Sequence, residues 1–113
     1  MTEEKLEIVL KLFADEVKKI YGSKLRRIIL YGSCARGDFM QESNIDVMIL
    51  LSVPQDEISV ERKRILDVTD QLDLEYDVVL APVFQNEELF RRYLPISGFY
   101  QNVQRDGIKI SGG

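Results

Sequence analysis

Residues 30–51 constrain the fold more than any other part of the sequence. Two apolar runs, 28–31 and 47–51, flank a polar connection that begins with Gly32 and Ser33. A short run that is apolar at every position predicts a strand covered on both faces. The connection between the runs is too short for the helical crossover that joins parallel strands. We therefore predict two antiparallel neighbouring strands, with the second near the centre of a sheet.

The remaining segments show helix and strand patterns in a mixed order. Thr2 is a suitable N-cap for a first helix that Gly22 ends, and Asn86 is a suitable N-cap for a later one. Further helices are predicted at 56–74 and 96–105, and further strands at 76–83 and 108–110. We expect a single domain over residues 1–113, of the α/β (α+β) class, with a mixed β-sheet flanked by helices.

Composition limits the compartment and the partners. The net charge of −4 and the pI near 4.9 argue against a protein whose main role is to bind the backbone of a nucleic acid. The sequence contains no apolar run of the roughly 20 residues that cross a bilayer, and no basic signal-peptide start. With mean hydropathy of −0.12, we expect a cytoplasmic protein that binds neither membrane nor nucleic acid strongly.

The absence of histidine limits the chemistry. Without an imidazole, Ser-His-Asp and Cys-His catalysis and His-ligated metal sites are excluded within this chain. Cys34 is the only cysteine, so it is interpreted as a small packing residue. Any reaction must use carboxylates, hydroxyls, Lys, Arg, backbone amides or an oxygen-bound metal.

The residues around the polar connection suit a metal-bound phosphate. Gly32 lets backbone approach a ligand closely, and Ser33 adds a hydroxyl and an amide donor. Asn44 and Asp46 would point to the same face, about 6.6 Å apart, if the second strand has begun at Asn44. The alternative is that Gly32 and Ser33 form only a hairpin turn. Arg36 could contact phosphate or pair with a nearby acid.

Asp77 is a third candidate. It precedes the apolar run 78–81, so it is expected at the entrance of the third strand. There it could join Asn44 and Asp46, or it could simply cap a turn.

The combined pattern resembles a known family. Gly32-Ser33, ten intervening residues and then Asn44-Ile45-Asp46, with Asp77 later, are similar to the signature of the DNA polymerase β-like nucleotidyltransferase superfamily. The resemblance is to the minimal nucleotidyltransferase (MNT) family, which includes MntA-type antitoxins. It implies the nucleotidyltransferase fold, Mg²⁺ ligands at Asn44, Asp46 and Asp77, and catalytic roles for Asp46 and Asp77. It also implies that Gly32, Ser33 and Arg36 bind the nucleotide.

The resemblance implies a function as well. It predicts Mg²⁺-dependent transfer of AMP from ATP to a hydroxyl, such as a tyrosine of a HEPN-type helical partner, by the antitoxin of a toxin–antitoxin pair. Asn44 stands where the family has its first Asp, so the alternative is a weakened or inactive binding module. That module would dock through exposed apolar side chains, for which Phe90, Tyr93 and Phe99 are candidates unless they belong to the core. Nucleotide transfer to an antibiotic is a third possibility, but it would normally need a longer chain.

Overall fold

The computed structural model describes residues 1–111 and contains one four-stranded sheet. The strands are β1 (Leu25–Tyr31), β2 (Ile45–Leu51), β3 (Leu80–Asn86) and β4 (Ile108–Ser111), in the order β3-β2-β1-β4. β1 pairs antiparallel with β2 and with β4, whereas β2 and β3 are parallel. The predicted antiparallel neighbours, the inner position of the second strand and the mixed sheet are confirmed.

Helices cover both faces of this sheet. They are α1 (Glu3–Tyr21), α2 (Ser33–Arg36), α3 (Ile58–Lys63), α4 (Leu66–Tyr76), α5 (Glu87–Tyr93) and α6 (Gly98–Asp106). Buried side chains of α1, α3 and α4 join one core cluster with the sheet, while Phe90 of α5 and Val103 of α6 join a second cluster. The sheet is therefore the middle layer of three.

The residues of β2 alternate between these two clusters. Val47, Ile49 and Leu51 belong to the cluster with α1, whereas Met48 and Leu50 belong to the cluster with Phe90 and Val103. All five side chains are fully buried, and burial of each is worth roughly 1.5–3 kcal/mol. Because alternate strand residues share a face, Asp46 lies on the face that α5 and α6 cover.

The first helix forms as the sequence predicts. The Thr2 hydroxyl accepts a hydrogen bond from the Lys5 amide at 3.1 Å, and α1 ends at Gly22, whose φ is +53°. Its apolar stripe faces the sheet. The described chain contains no helix that is both long and apolar enough to cross a membrane.

The prediction of one helix over 56–74 is wrong. A short 3₁₀ turn at Gln55–Glu57 leads into α3, and a break at Arg64 separates α3 from α4. At the break the Glu61 carbonyl accepts from the Tyr21 hydroxyl and from the Arg64 amide, and the Ile65 amide donates to Arg62 instead. A tertiary hydrogen bond therefore replaces a regular helical one, and Ile65 is fully buried at the kink.

The prediction of a third strand over 76–83 is also wrong at its start. Tyr76 is the last residue of α4, and Asp77 ends the helix in the left-handed conformation with φ +54° and ψ +54°. The Asp73 carboxylate then accepts from the Leu80 amide at 2.9 Å, where β3 begins. Asp77 therefore ends a helix, its backbone amide donating to the Asp73 carbonyl, and does not lie in a strand.

Candidate functional site

The polar connection after β1 forms a tight helical turn. Gly32 has φ +74° and ψ −156°, and Gly37 closes the turn with φ +80°. The Gly32 carbonyl accepts from the Ala35 and Arg36 amides at 3.1 and 3.2 Å. The polar connection therefore begins with α2, which has a glycine on each side.

The Asp46 carboxylate lies directly against this turn. A Cβ atom added at Gly32 would be 2.5 Å from Asp46 Oδ2, a distance that only a glycine permits. Asp46 is also the cross-strand partner of Tyr31, the residue before Gly32. The structure thus brings Gly32 and Asp46 together, with Ser33 next to Gly32 in the α2 turn.

Asn44 lies beside the same turn but just outside β2. The Cys34 thiol donates to the Asn44 carbonyl at 3.6 Å. Asn44 itself is exposed, while Cys34 is buried. Since Asn44 precedes the strand, strand alternation does not determine where its side chain points, contrary to the premise of the sequence prediction. The interpretation of Cys34 as a packing residue is confirmed by its burial.

Arg36 provides positive charge at this site. Its Nε lies 3.4 Å from Asp38 Oδ2, and half of its side chain is exposed. Burial raises the pKa of Asp46, and the Arg36 guanidinium opposes that rise. The pKa of Asp106 at the end of α6 is lowered mainly by its hydrogen bond with Arg105, with a smaller contribution from Arg36. Arg36 therefore pairs with a nearby acid and still acts on the Asp46 carboxylate.

Burial dominates the electrostatics around Asp46. Partial desolvation raises the pKa of the Asp46 carboxyl group, against the opposing effect of Arg36. Desolvation and then the Asp46 charge raise the pKa of Tyr31, and the same two causes raise the pKa of Cys34, where a hydrogen bond with Ser33 opposes them. The site thus disfavours accumulated negative charge and would gain from a bound cation.

Asp77 does not join this group. In the parallel pairing of β2 with β3, Asp46 lies opposite Ala81, four residues after Asp77. The exposed Asp77 lines a cavity of about 390 Å³ with Lys5 and Glu42, and Asp46 is not among the residues that line it. The sequence placed Asp77 at the site because it placed the strand start too early.

The sequence did not reveal which residues flank Asp46 in the sheet. They are Tyr31 on β1 and Ala81 on β3. The Tyr31 ring packs edge-on against Phe99 of α6, with centroids 5.6 Å apart. Tyr31 could have been suspected from its position before Gly32, but Ala81 carries no sequence signal.

Of the suggested docking residues, Phe90 is in the core. Tyr93 and Phe99 are exposed, at 43% and 47%. The expectation that these residues belong to the core is therefore confirmed for Phe90 and wrong for Tyr93 and Phe99.

The donor set fits one Mg²⁺ ion. Among the residues that the structure describes, no three or more His, Cys, Asp or Glu side chains are grouped so that they could hold a metal. Mg²⁺ at nucleotide sites is commonly held by one or two carboxylates together with substrate phosphates. Asp46 supplies one carboxylate, and the amide oxygen of Asn44 and the hydroxyl of Ser33 are neutral donors nearby in the chain.

A comparison with protein families identifies the kind of domain. The sequence model of the family described as "nucleotidyltransferase domain" matches residues 10–109, which is most of the chain. The chain belongs to the nucleotidyltransferase domain family.

Individual relatives of this nucleotidyltransferase are consistent with the family. A Methanocaldococcus jannaschii protein named "putative protein adenylyltransferase" is 36% identical over 107 residues, which cover 95% of this chain and 96% of the relative.

Two solved structures share the fold of the nucleotidyltransferase. A "putative nucleotidyltransferase" from Sulfolobus solfataricus matches with a TM-score of 0.59 at 19% identity, over 94% of this chain and 82% of that one. A mutant of the toxin–antitoxin pair MntA–HpeT matches with a TM-score of 0.56 at 19% identity, over 88% of this chain and 71% of that one.

Proposed function

We propose that this nucleotidyltransferase transfers AMP from ATP, with Mg²⁺, to a tyrosine hydroxyl of a HEPN-type helical protein, as the antitoxin of a toxin–antitoxin pair. The contact of the Asp46 carboxylate with Gly32 supports the proposal most directly, because a carboxylate oxygen lies beside backbone that a triphosphate can approach. The name of the M. jannaschii relative supports protein adenylylation. The fold likeness to MntA–HpeT supports a toxin partner.

Each residue of the site has a role in this proposal. The Gly32 turn and the Ser33 hydroxyl receive the phosphates, and the Arg36 guanidinium contacts phosphate oxygens. Asp46 holds the Mg²⁺, which when bound neutralises phosphate charge. The tyrosine oxygen bonds to the α-phosphorus, the bond from that phosphorus to the β-phosphate oxygen breaks, and pyrophosphate and a proton are released.

The surroundings of Asp46 support an aromatic acceptor. Ala81 and Val83 are apolar residues on one face of β3, and Val79 just precedes the strand; Val79 and Val83 are exposed at 51% and 38%. On the other side of Asp46 lie the rings of Tyr31 and Phe99. A phenol ring can pack on such surfaces, whereas a polyhydroxylated sugar would leave polar groups without partners.

Transfer of label from α-³²P-ATP to the partner tests the proposal. The purified protein is incubated with Mg²⁺ and the helical protein encoded beside it. We expect label on the partner, lost with Asp46→Asn in the transferase and with Tyr→Phe at the labelled position of the partner. If the wild type transfers no label but Asn44→Asp does, the wild-type protein is not a transferase.

The neutral side chains around Asp46 favour a second candidate function. With Asn44 beside the turn and Ala81 opposite Asp46, the protein could bind nucleotide or its partner without transfer. The exposed rings of Tyr93 and Phe99 would then contribute to docking. Calorimetry separates the two: a strong Mg²⁺ requirement for nucleotide binding supports the transferase, and binding without such a requirement supports the binding module.

A further inference from the structure

Asp46 is flanked by side chains that carry no charge. Its cross-strand neighbours are Tyr31 on β1 and Ala81 on β3. Neighbouring strands lie about 4.7–4.9 Å apart, and β2 and β3 are parallel neighbours. Ala81 is therefore the β3 position from which a carboxylate would reach the same ion as Asp46.

The next residues along the same face of β3 do not supply a carboxylate either. Val83 lies opposite Met48, two residues beyond Ala81, and Val79 comes just before the strand begins at Leu80. Both are apolar and exposed. Asn44, the last residue before β2, offers a neutral amide oxygen that cannot offset the charge of a metal ion.

Paired divalent ions in transferase sites lie about 3.5–4 Å apart. Their mutual repulsion must be offset by anionic side chains that contact both ions. Asp46 is one such group, and the Arg36 guanidinium on the adjoining α2 turn already adds a positive charge that acts on its carboxylate. The local charge therefore suffices for one ion together with the nucleotide phosphates, and not for two.

We propose that this protein takes a single divalent cation with each bound nucleotide, and that Ala81 is the position where a missing carboxylate excludes a second one. This inference rests on the proposed nucleotide binding at Gly32 and Asp46. It predicts that a second cation site appears when carboxylates are placed at positions 44 and 81.

The test counts Mn²⁺ ions and nucleotides bound to the protein. Adenosine 5′-(α,β-methylene)triphosphate is used because it cannot release pyrophosphate. Free Mn²⁺ is measured by electron paramagnetic resonance, and bound nucleotide by equilibrium dialysis. We expect one Mn²⁺ per nucleotide in the wild type and two in the double variant Asn44→Asp, Ala81→Asp, with broadening of the bound signal by the neighbouring ion.

A matched control uses the next position on the same face. Val83→Asp adds the same charge to β3 but lies opposite Met48, so we expect its count to stay at one. The single variant Asn44→Asp, at an exposed position, should also bind one Mn²⁺ per nucleotide. A count of two in this variant would overturn the role of Ala81 even if a β3 substitution prevents folding.

Three outcomes would overturn the inference. Two ions per nucleotide in the wild type or in Asn44→Asp would show that Ala81 does not exclude the second ion. A double variant that folds but binds only one Mn²⁺ per nucleotide would show that position 81 is not where the missing ligand belongs. A wild type that binds no nucleotide would overturn the proposed function, and the inference with it.

Discussion

Gly32 and Asp46 are in such close contact that a methyl group on Gly32 would lie 2.5 Å from a carboxylate oxygen of Asp46. The two residues are fourteen positions apart in the chain, and the antiparallel pairing of β1 with β2 brings them together. The contact holds the carboxylate against the backbone of the α2 turn. The site therefore depends on a glycine for its shape as well as on an acid for its charge.

Gly32→Ala should destabilise the protein and move Asp46. The backbone at Gly32 has φ +74° and ψ −156°, a region nearly exclusive to glycine that costs other residues about 1–3 kcal/mol. The clash with Asp46 adds to that cost. Urea unfolding measures the loss of stability, and calorimetry should show loss of nucleotide binding.

Gly37→Ala is the matched control for that substitution. Gly37 also has a positive φ, +80°, but an added Cβ would meet no atom within 4 Å. We expect a cost of about 1 kcal/mol and nucleotide binding that is retained. Equal effects of the two variants on binding would contradict a specific role for the Gly32–Asp46 contact.

Asp46→Asn should stabilise the protein at neutral pH. Burial raises the pKa of Asp46 above its unfolded value near 4, so the native state holds its proton longer than the unfolded state as pH rises. Stability is then lost as pH rises from the unfolded pKa through the folded pKa, and the Asn variant avoids that loss.

Urea unfolding of the wild type and of Asp46→Asn across pH 3–8 measures this effect. The two proteins should be nearly equal in stability at the acid end of this range. The variant should be the more stable once the pH is above the folded pKa of Asp46. At pH 7 a wild type more stable than the variant would show that Asp46 gains more from its contacts than it loses by burial. The variant should also lose Mg²⁺-dependent nucleotide binding.

Tyr21→Phe should cost about 1 kcal/mol at pH 7, because it removes the hydroxyl that donates to the Glu61 carbonyl at the break between α3 and α4. Burial, reinforced by Glu61, raises the pKa of Tyr21 to about 12, above its unfolded value near 10. The wild type therefore loses stability as pH rises from about 10 towards 12. The variant has no hydroxyl at this position to ionise, so it does not show that loss.

Denaturant unfolding at pH 7 and at pH 11 checks the Tyr21 prediction. The stability gap between wild type and Tyr21→Phe should narrow at the higher pH. Tyr93→Phe serves as the control, since Tyr93 is 43% exposed and its substitution should change stability at pH 7 by less than about 0.5 kcal/mol. A gap that widens with pH would contradict the burial of the Tyr21 hydroxyl.

Asp77→Gly should stabilise the protein without weakening nucleotide or metal binding. Asp77 is a non-glycine residue with positive φ, and glycine at such a helix end relieves strain worth about 0.5–1 kcal/mol. Thermal unfolding and Mn²⁺ binding are measured on the same samples. Loss of metal binding would show that Asp77 is a metal ligand, whereas the structure places it in a cavity with Lys5 that Asp46 does not line.

Local patterns in the sequence determined much of this protein. The first helix with its Thr2 cap, the inner apolar strand β2, the antiparallel β1–β2 pair and the glycine turn all depend on residues close together in the chain. Turn and cap chemistry and apolar periodicity act over a few residues, so they can be recognised without coordinates. The nearness of Gly32 to Asp46 followed from the same short connection.

Only the tertiary structure decided which side chains share the site with Asp46. The start of β3 depends on how far α4 extends, and a left-handed residue at Asp77 moves the strand start to Leu80. That shift places Ala81, and not an acid, opposite Asp46. Parallel pairing is set by packing between segments more than thirty residues apart in the chain, and the sequence of either strand alone does not encode its register.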